Sequence, residues 1–371
     1  MGLYYGTVHR ESSTIIVNID KKEHVVGMNT QDTAQVFSGQ DAPSPDFIDT
    51  PLTRLLGIRY PIIGAPMFLV SNIDMVAAIS EAGGIGTFPA LNFRPLDAYQ
   101  KALGELRQRT NRPIGVNVIV NQSNQRQADD LRLALDAGVQ LFITSLGNPR
   151  EVIREAHKNG AKVFCDVTNL QHGLKVRDMG ADGVIAVGSG AGGHAGPIVP
   201  SILIPWLVEK LGIPVVAAGG VADGRTMAAM LALGACGVSV GTRFIASQEA
   251  QVTSDYKQAI IAATPEDIMM TSRLSGTPVS VIRTPDVEKL GQDLPSWIVA
   301  LKKYPSAKRW LNPLIHLLGM QTLEKSATRK EAKKVWSAGQ TVGLIDEIKT
   351  CHEIIAQMVT QYRQTRASLP E

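Results

Sequence analysis

Of the seven histidines in this chain, His194 stands in the stretch Gly188-Ser189-Gly190-Ala191-Gly192-Gly193-His194-Ala195-Gly196. Glycines there free the backbone for positive φ and leave the main chain bare enough for a flat ligand to lie against it. An imidazole with an ordinary pKa of about 6.5 acts as a base at physiological pH. The apolar run Gly183-Val184-Ile185-Ala186-Val187 just before it reads as a buried strand, so His194 falls beyond a strand's C-terminal end. His9, His24, His157, His172, His316 and His352 lack such surroundings and read as structural or exposed.

Two further glycine turns follow apolar runs: Ala218-Gly219-Gly220-Val221 and Gly241-Thr242-Arg243. Each serves equally as a tight turn, but as a pair they offer unobstructed N–H groups to a phosphate, with the Thr242 hydroxyl as a further donor. Ala65-Pro66-Met67 supplies a rigid backbone and a soft thioether suited to flanking a planar ring. Asn117 interrupts Val116–Val120 and by alternation shares a face with Gly115 and Ile119. Its amide either points into a site or is satisfied by neighbouring backbone. Asp166 and Thr168 close another run, as ligand contacts or helix caps. No Ser-His-Asp order, carboxylate pair or metal-ligand spacing competes with His194. Cys165 and Cys236 read as core.

The elements that position these residues show a rhythm. Apolar runs stand at 60–67, 84–90, 113–120, 140–146, 162–168, 183–189, 214–221 and 237–244. They begin at intervals of roughly 21 to 31 residues, the size of a βα unit. Between them lie helical patterns such as Asn72–Glu81, with Ser71 as cap, and Thr226–Leu233, closed by Gly234. Gly83, Gly138, Gly160, Gly180 and Gly212 punctuate other helix ends. Eight units in series predict an α/β fold, a (β/α)₈ TIM barrel, in preference to an open doubly wound sheet.

Outside that rhythm, residues 1–50 form an N-terminal extension of unassigned role, in which Thr14–Ile19 and His24–Val26 suggest a hairpin. The barrel is expected over 51–246 and 336–365. Residues 247–335, with Pro295, Pro305, Pro313 and a basic run at Lys325–Lys334, suggest a helical cap, and a last helix is expected over Ile345–Tyr362.

The chain has 371 residues, of which 44% are hydrophobic and 19% charged, enough for a large core. A net charge of +3 spread over 37 basic and 34 acidic residues, with 5% aromatics, gives no nucleic-acid footprint. Three scattered cysteines, no signal-like start and no run of ~18 apolar residues predict a cytoplasmic protein with no membrane partner.

Taken together, Ala65-Pro66-Met67, Glu81–Gly86, Asn117, Ala191-Gly192-Gly193-His194, Ala218–Arg225, Gly241–Phe244 and Trp336-Ser337-Ala338-Gly339-Gln340 resemble the nitronate monooxygenase (2-nitropropane dioxygenase-like) family over about residues 51–350. The resemblance implies FMN as cofactor. Gly219, Gly220, Gly241 and Thr242 would hold its phosphate; Ala65, Pro66, Met67, Asn117, Asp166, Ala191, Gly192 and Gly193 would border it. His194 matches the catalytic histidine. The implied reaction is oxidation of alkyl nitronates, or nitroalkanes, by dioxygen to a carbonyl compound and nitrite. The family also includes NAD(P)H:quinone and enoyl-thioester reductases, the alternative activity, and a homodimer is left open. A cofactor-free barrel acting on sugar phosphates would use the same two turns. One departure stands out: members often carry an acidic residue where this chain has Gly190.

Overall fold

The computed structural model describes residues 47–121, 124–301, 322, 326 and 334–370. The hairpin expected within 14–26 and most of the basic run lie outside them.

Eight parallel strands form the barrel: β1 (Ile62–Gly64), β2 (Ile85–Pro89), β3 (Ile114–Ile119), β4 (Leu141–Ser145), β5 (Lys162–Val167), β6 (Gly183–Val187), β8 (Val215–Ala218) and β9 (Gly237–Val240). β9 returns to β1 with Ile62 opposite Val238 and Gly64 opposite Val240, which closes the ring and excludes the open sheet. Helices follow the strands in the order α2 (Ile73–Glu81), α3 (Leu96–Arg109), α4 (Gln127–Asp136), α5 (Arg150–Lys158), α6 (Leu170–Asp178), α7 (Pro200–Leu211) and α8 (Gly224–Ala232). The helix-ending glycines Gly83, Gly138, Gly160, Gly180, Gly212 and Gly234 all take positive φ, as their spacing suggested.

Strand alternation divides the core. Leu141 and Ile143 of β4, Phe164 of β5, Ile185 of β6 and Val216 of β8 fill the barrel interior, whereas Val116, Phe142 and Val163 face Leu106, Leu131 and Ile153 of the outer helices. A short helix before the first strand, α1 (Pro51–Leu56), sends Leu52 and Leu56 into the same interior cluster. Thr50 and Thr53 form its capping box, which fixes where this helix starts. Among the described residues the barrel is thus plugged at the N-terminal end of its strands and open at the other.

Several local expectations are corrected. Asn72, not Ser71, caps α2 by accepting from the Met75 N–H; the Ser71 hydroxyl instead donates to Ala65 O and accepts from Met67 N. Helix α8 begins earlier, at Gly224, because Asp223 and Thr226 cap each other's backbone. The last helix, α13, spans Cys351–Ser368, its start set by the box between Thr350 and Glu353, so residues 345–350 are not helical.

The stretch expected to form a helical cap also carries strands. Helices α9 (Thr242–Ile245), α10 (Ser254–Ala262), α11 (Pro285–Leu290) and α12 (Ser296–Leu301) accompany β10 (Ile268–Thr271) and β11 (Val279–Ile282). Those two strands form an antiparallel sheet with β7, which is Gly193–His194 itself. No described helix is long and apolar enough to cross a membrane.

Leu52 is fully buried in the plug. Leu52→Ala should cost roughly 2–5 kcal/mol, read from the urea midpoint at unchanged slope; a loss under about 1 kcal/mol would show that the barrel floor is held some other way.

Candidate active site

The open end of the barrel carries a cavity of about 750 Å³, within the range of roughly 300–1,000 Å³ usual for small-molecule sites. Its floor follows from strand parity. Asn117, Ser145 and Asp166 are inward-facing residues near the C-terminal ends of β3, β4 and β5, standing above the apolar interior of Ile143, Phe164 and Ile185. Asn117 donates from Nδ2 to Ile143 O (3.2 Å) and to Ser145 Oγ (2.8 Å). Ser145 Oγ lies 2.6 Å from Asp166 Oδ2. Asp166 meets the outside only through the cavity; burial raises its carboxyl to about 6, against the pull of the Ser145 hydrogen bond.

The opposite wall is backbone. The N–H groups of Gly219, Gly220, Gly241 and Thr242 donate to no acceptor among the described residues. Gly219 sits at φ +92, and a Cβ on it would lie 2.6 Å from the Ala191 N. A Cβ on Gly192 would come within 2.8 Å of Gly339 N. The segment around Gly339 closes this wall: Gly339 N donates to Thr242 Oγ1 (3.0 Å), leaving the Thr242 hydroxyl proton for another acceptor. Tyr256 supports it, stacked on Trp336 at 5.5 Å and donating to Ser337 O (2.6 Å). Gly190 is crowded as well. A Cβ there would lie 3.1 Å from Gly220 N, a contact that a shift of a few tenths of an ångström would relieve.

His194 stands at the rim, exposed, with Nε2 3.0 Å from Ser275 Oγ. Ser275 Oγ is also 3.0 Å from Thr277 O, which can only accept. Directing its one proton there leaves the Ser275 oxygen to accept from the imidazole. The pairing of β7 with Val279 and Ser280 sets the backbone of His194.

Every residue singled out from the sequence lines this one cavity: Ala65, Pro66, Met67, Asn117, Asp166, Ala191, Gly192, Gly193, His194, Gly219, Gly220, Gly241 and Thr242. Neither open alternative for Asn117 wins outright, since its amide bonds a neighbouring carbonyl and still borders the cavity. Asp166 caps no helix; Asn169 caps α6. Sequence reasoning missed Ser145 and Ser275. Ser145 was within reach of the parity argument applied to Asn117, because it follows Leu141 and Ile143 on one face. Ser275 lies 81 residues from His194 and carries no local signal.

A barrel with such a mouth defines an enzyme class, and comparison narrows it. A nitronate monooxygenase family model matches residues 49–361. A protein from Mycobacterium tuberculosis named (3aS,4S,5R,7aS)-5-hydroxy-7a-methyl-1-oxo-octahydro-1H-indene-4-carboxyl-CoA dehydrogenase is 30% identical over 87% of this chain and 99% of its own. The structure of FabK from Thermotoga maritima superposes with a TM-score of 0.75 at 34% identity, covering 86% of this chain and 98% of that one. The nitroalkane oxidase from Streptomyces ansochromogenes gives a TM-score of 0.72 at 26% identity over 86% and 99%. The chain belongs to the nitronate monooxygenase family of oxidoreductases.

Cys165, Cys236 and Cys351 are buried, and burial pushes all three thiols up, Cys165 and Cys236 to about 12. Each therefore stays protonated at pH 8, because the thiolate forms only as pH climbs toward the raised value. Ellman's reagent should label the native chain far more slowly than the urea-unfolded chain; one rapidly labelled native thiol would contradict this.

Proposed function

We propose that this protein is an FMN-dependent oxidoreductase that oxidises alkyl nitronates with dioxygen, releasing a carbonyl compound and nitrite. The observation that carries the reading is that His194 and the donor-rich glycine wall line one cavity. The residues fit the cofactor: free N–H groups of Gly219, Gly220, Gly241 and Thr242 suit its phosphate, and the bare surface of Ala191–Gly193 with Met67 and Asn117 suits a flat ring. When bound, FMN supplies the electron transfer from substrate and onward to dioxygen.

The chain's own residues supply position and proton handling. His194 accepts the Cα proton when a neutral nitroalkane enters, and hydrogen-bonds the nitro group when the substrate arrives already ionised. Ser275 orients the imidazole at Nε2. With Gly190 in the loop, no carboxylate is supplied to His194 from position 190.

A second reading is favoured by one finding: the matched CoA dehydrogenase is covered over 99% of its length. In that reading the same cavity takes an acyl thioester and the cofactor exchanges hydride with NAD(P)H. Anaerobic mixing with NADH or NADPH separates the two, since rapid loss of visible flavin absorbance belongs only to the second.

FMN-loaded protein should release nitrite from ethylnitronate or propionate 3-nitronate under air, and no release from either would remove the first reading. His194→Asn should keep ethylnitronate turnover within roughly tenfold yet lose on the order of a hundredfold with neutral nitroethane, because only the latter needs a base. Equal losses on both substrates would assign His194 some other task.

A further inference from the structure

The cavity floor carries a hydrogen-bond chain through Asn117, Ser145 and Asp166. Ile143 O can only accept, so the Asn117 group 3.2 Å away is the amide nitrogen, and this settles which end of the side chain is which. That bond alone is long. The second N–H goes to Ser145 Oγ at 2.8 Å, and the Ser145 proton, with its oxygen engaged from Asn117, goes to Asp166 Oδ2 at 2.6 Å. The chain therefore runs one way, from amide through hydroxyl to carboxylate. Both amide protons are consumed by protein acceptors, and what Asn117 has left to offer the cavity it lines is its carbonyl oxygen.

We propose that Ser145 and Asp166 are positioning residues that act through Asn117, locking its amide so that the cavity floor presents an acceptor to the N–H edge of the isoalloxazine ring. The inference rests on the FMN reading above. The oxidised ring has one N–H, flanked by two carbonyls. An unlocked Asn117 could turn its NH₂ toward those carbonyls and face the ring with the wrong group. The locked amide discriminates between the two orientations because the wrong one would leave Ile143 O and Ser145 facing an oxygen instead of a donor. Asp166 is the anchor of the chain, since without an acceptor beyond it the Ser145 proton competes with the amide for the same space. A carboxylate placed on β5 in this way also puts an acid at the site of a chain that has none at position 190.

The experiment follows FMN leaving the full-length holoprotein on dilution, read as recovery of flavin fluorescence, with the visible spectrum and thermal midpoint recorded for each variant. Ser145→Ala should weaken FMN retention roughly tenfold, the scale of one net hydrogen bond. Ser145→Thr should restore it to within about threefold, because a threonine hydroxyl continues the chain. Asp166→Asn keeps an acceptor and should stay close to the native protein, whereas Asp166→Leu should match Ser145→Ala. The double variant Ser145→Ala/Asp166→Leu should be no worse than either single one, as expected of groups acting through one amide. Additive losses that follow the thermal midpoint, or an alanine variant that holds FMN as tightly as the native chain, would overturn the proposal. A native chain that carries no FMN and takes none up would instead sink the functional reading on which it rests.

Discussion

Main chain resting on main chain is the contact on which this site depends. Gly219 lies against the backbone of Ala191, Gly192 against Gly339, and Gly339 against the carbonyl of Gly190, each so close that a Cβ would collide. No bulky side chain can enter that wall, and beside it the N–H groups of Gly219, Gly220, Gly241 and Thr242 find no acceptor among the described residues. Three parts of the sequence, around 190, 219 and 339, must come together before the wall exists. The segment carrying Gly339 is held from the side by Thr242 and by the Tyr256–Trp336 stack. Assembly of the pocket is thus tied to docking of the C-terminal part of the chain, and a ligand bridging these loops would be linked to their stability by mass action.

The barrel then divides the work by direction. Below, Leu52 and Leu56 seal the interior, and apolar residues fill it to the level of Ile143 and Phe164. Above, the strand ends differ around the ring. β3, β4 and β5 end in polar side chains, Asn117, Ser145 and Asp166, while β6, β8 and β9 pass into bare turns. Polar side chains buried at the floor are tolerated there because each finds a partner.

Much of this could be read from the sequence because it rests on local rules. Glycines at the ends of helical patterns marked positive φ, and apolar runs at βα spacing marked eight strands. Alternation placed Asn117 inward, and the same rule would have found Ser145. Cap residues were harder. Ser71 and Asn72 are adjacent and both are good cap types, and the choice was made by Ala65 O and Met67 N, groups outside the helix pattern. The sheet of β10, β11 and β7 was not legible at all. Its strands are four, four and two residues long, and β7 pairs with a strand some eighty-five residues further along the chain. Such pairings are set by tertiary context and leave little periodic trace.

That illegible sheet carries the residue most visible at the outset. His194 belongs to a barrel loop by sequence, yet its backbone is paired to Val279 and its imidazole is held by Ser275, both outside the eightfold repeat. The glycine turns after β8 and β9, by contrast, are held by barrel strands, the backbone of Ala191 and the segment at Gly339. The two ends of the cavity are therefore positioned by different parts of the chain. Changing residues 268–282 would shift His194 while leaving the glycine wall in place, and a barrel can vary its chemistry in this way without changing its fold. Relatives at 26–30% identity that match this chain over nearly their whole length, one named a CoA dehydrogenase and the other a nitroalkane oxidase, are what such an arrangement would produce.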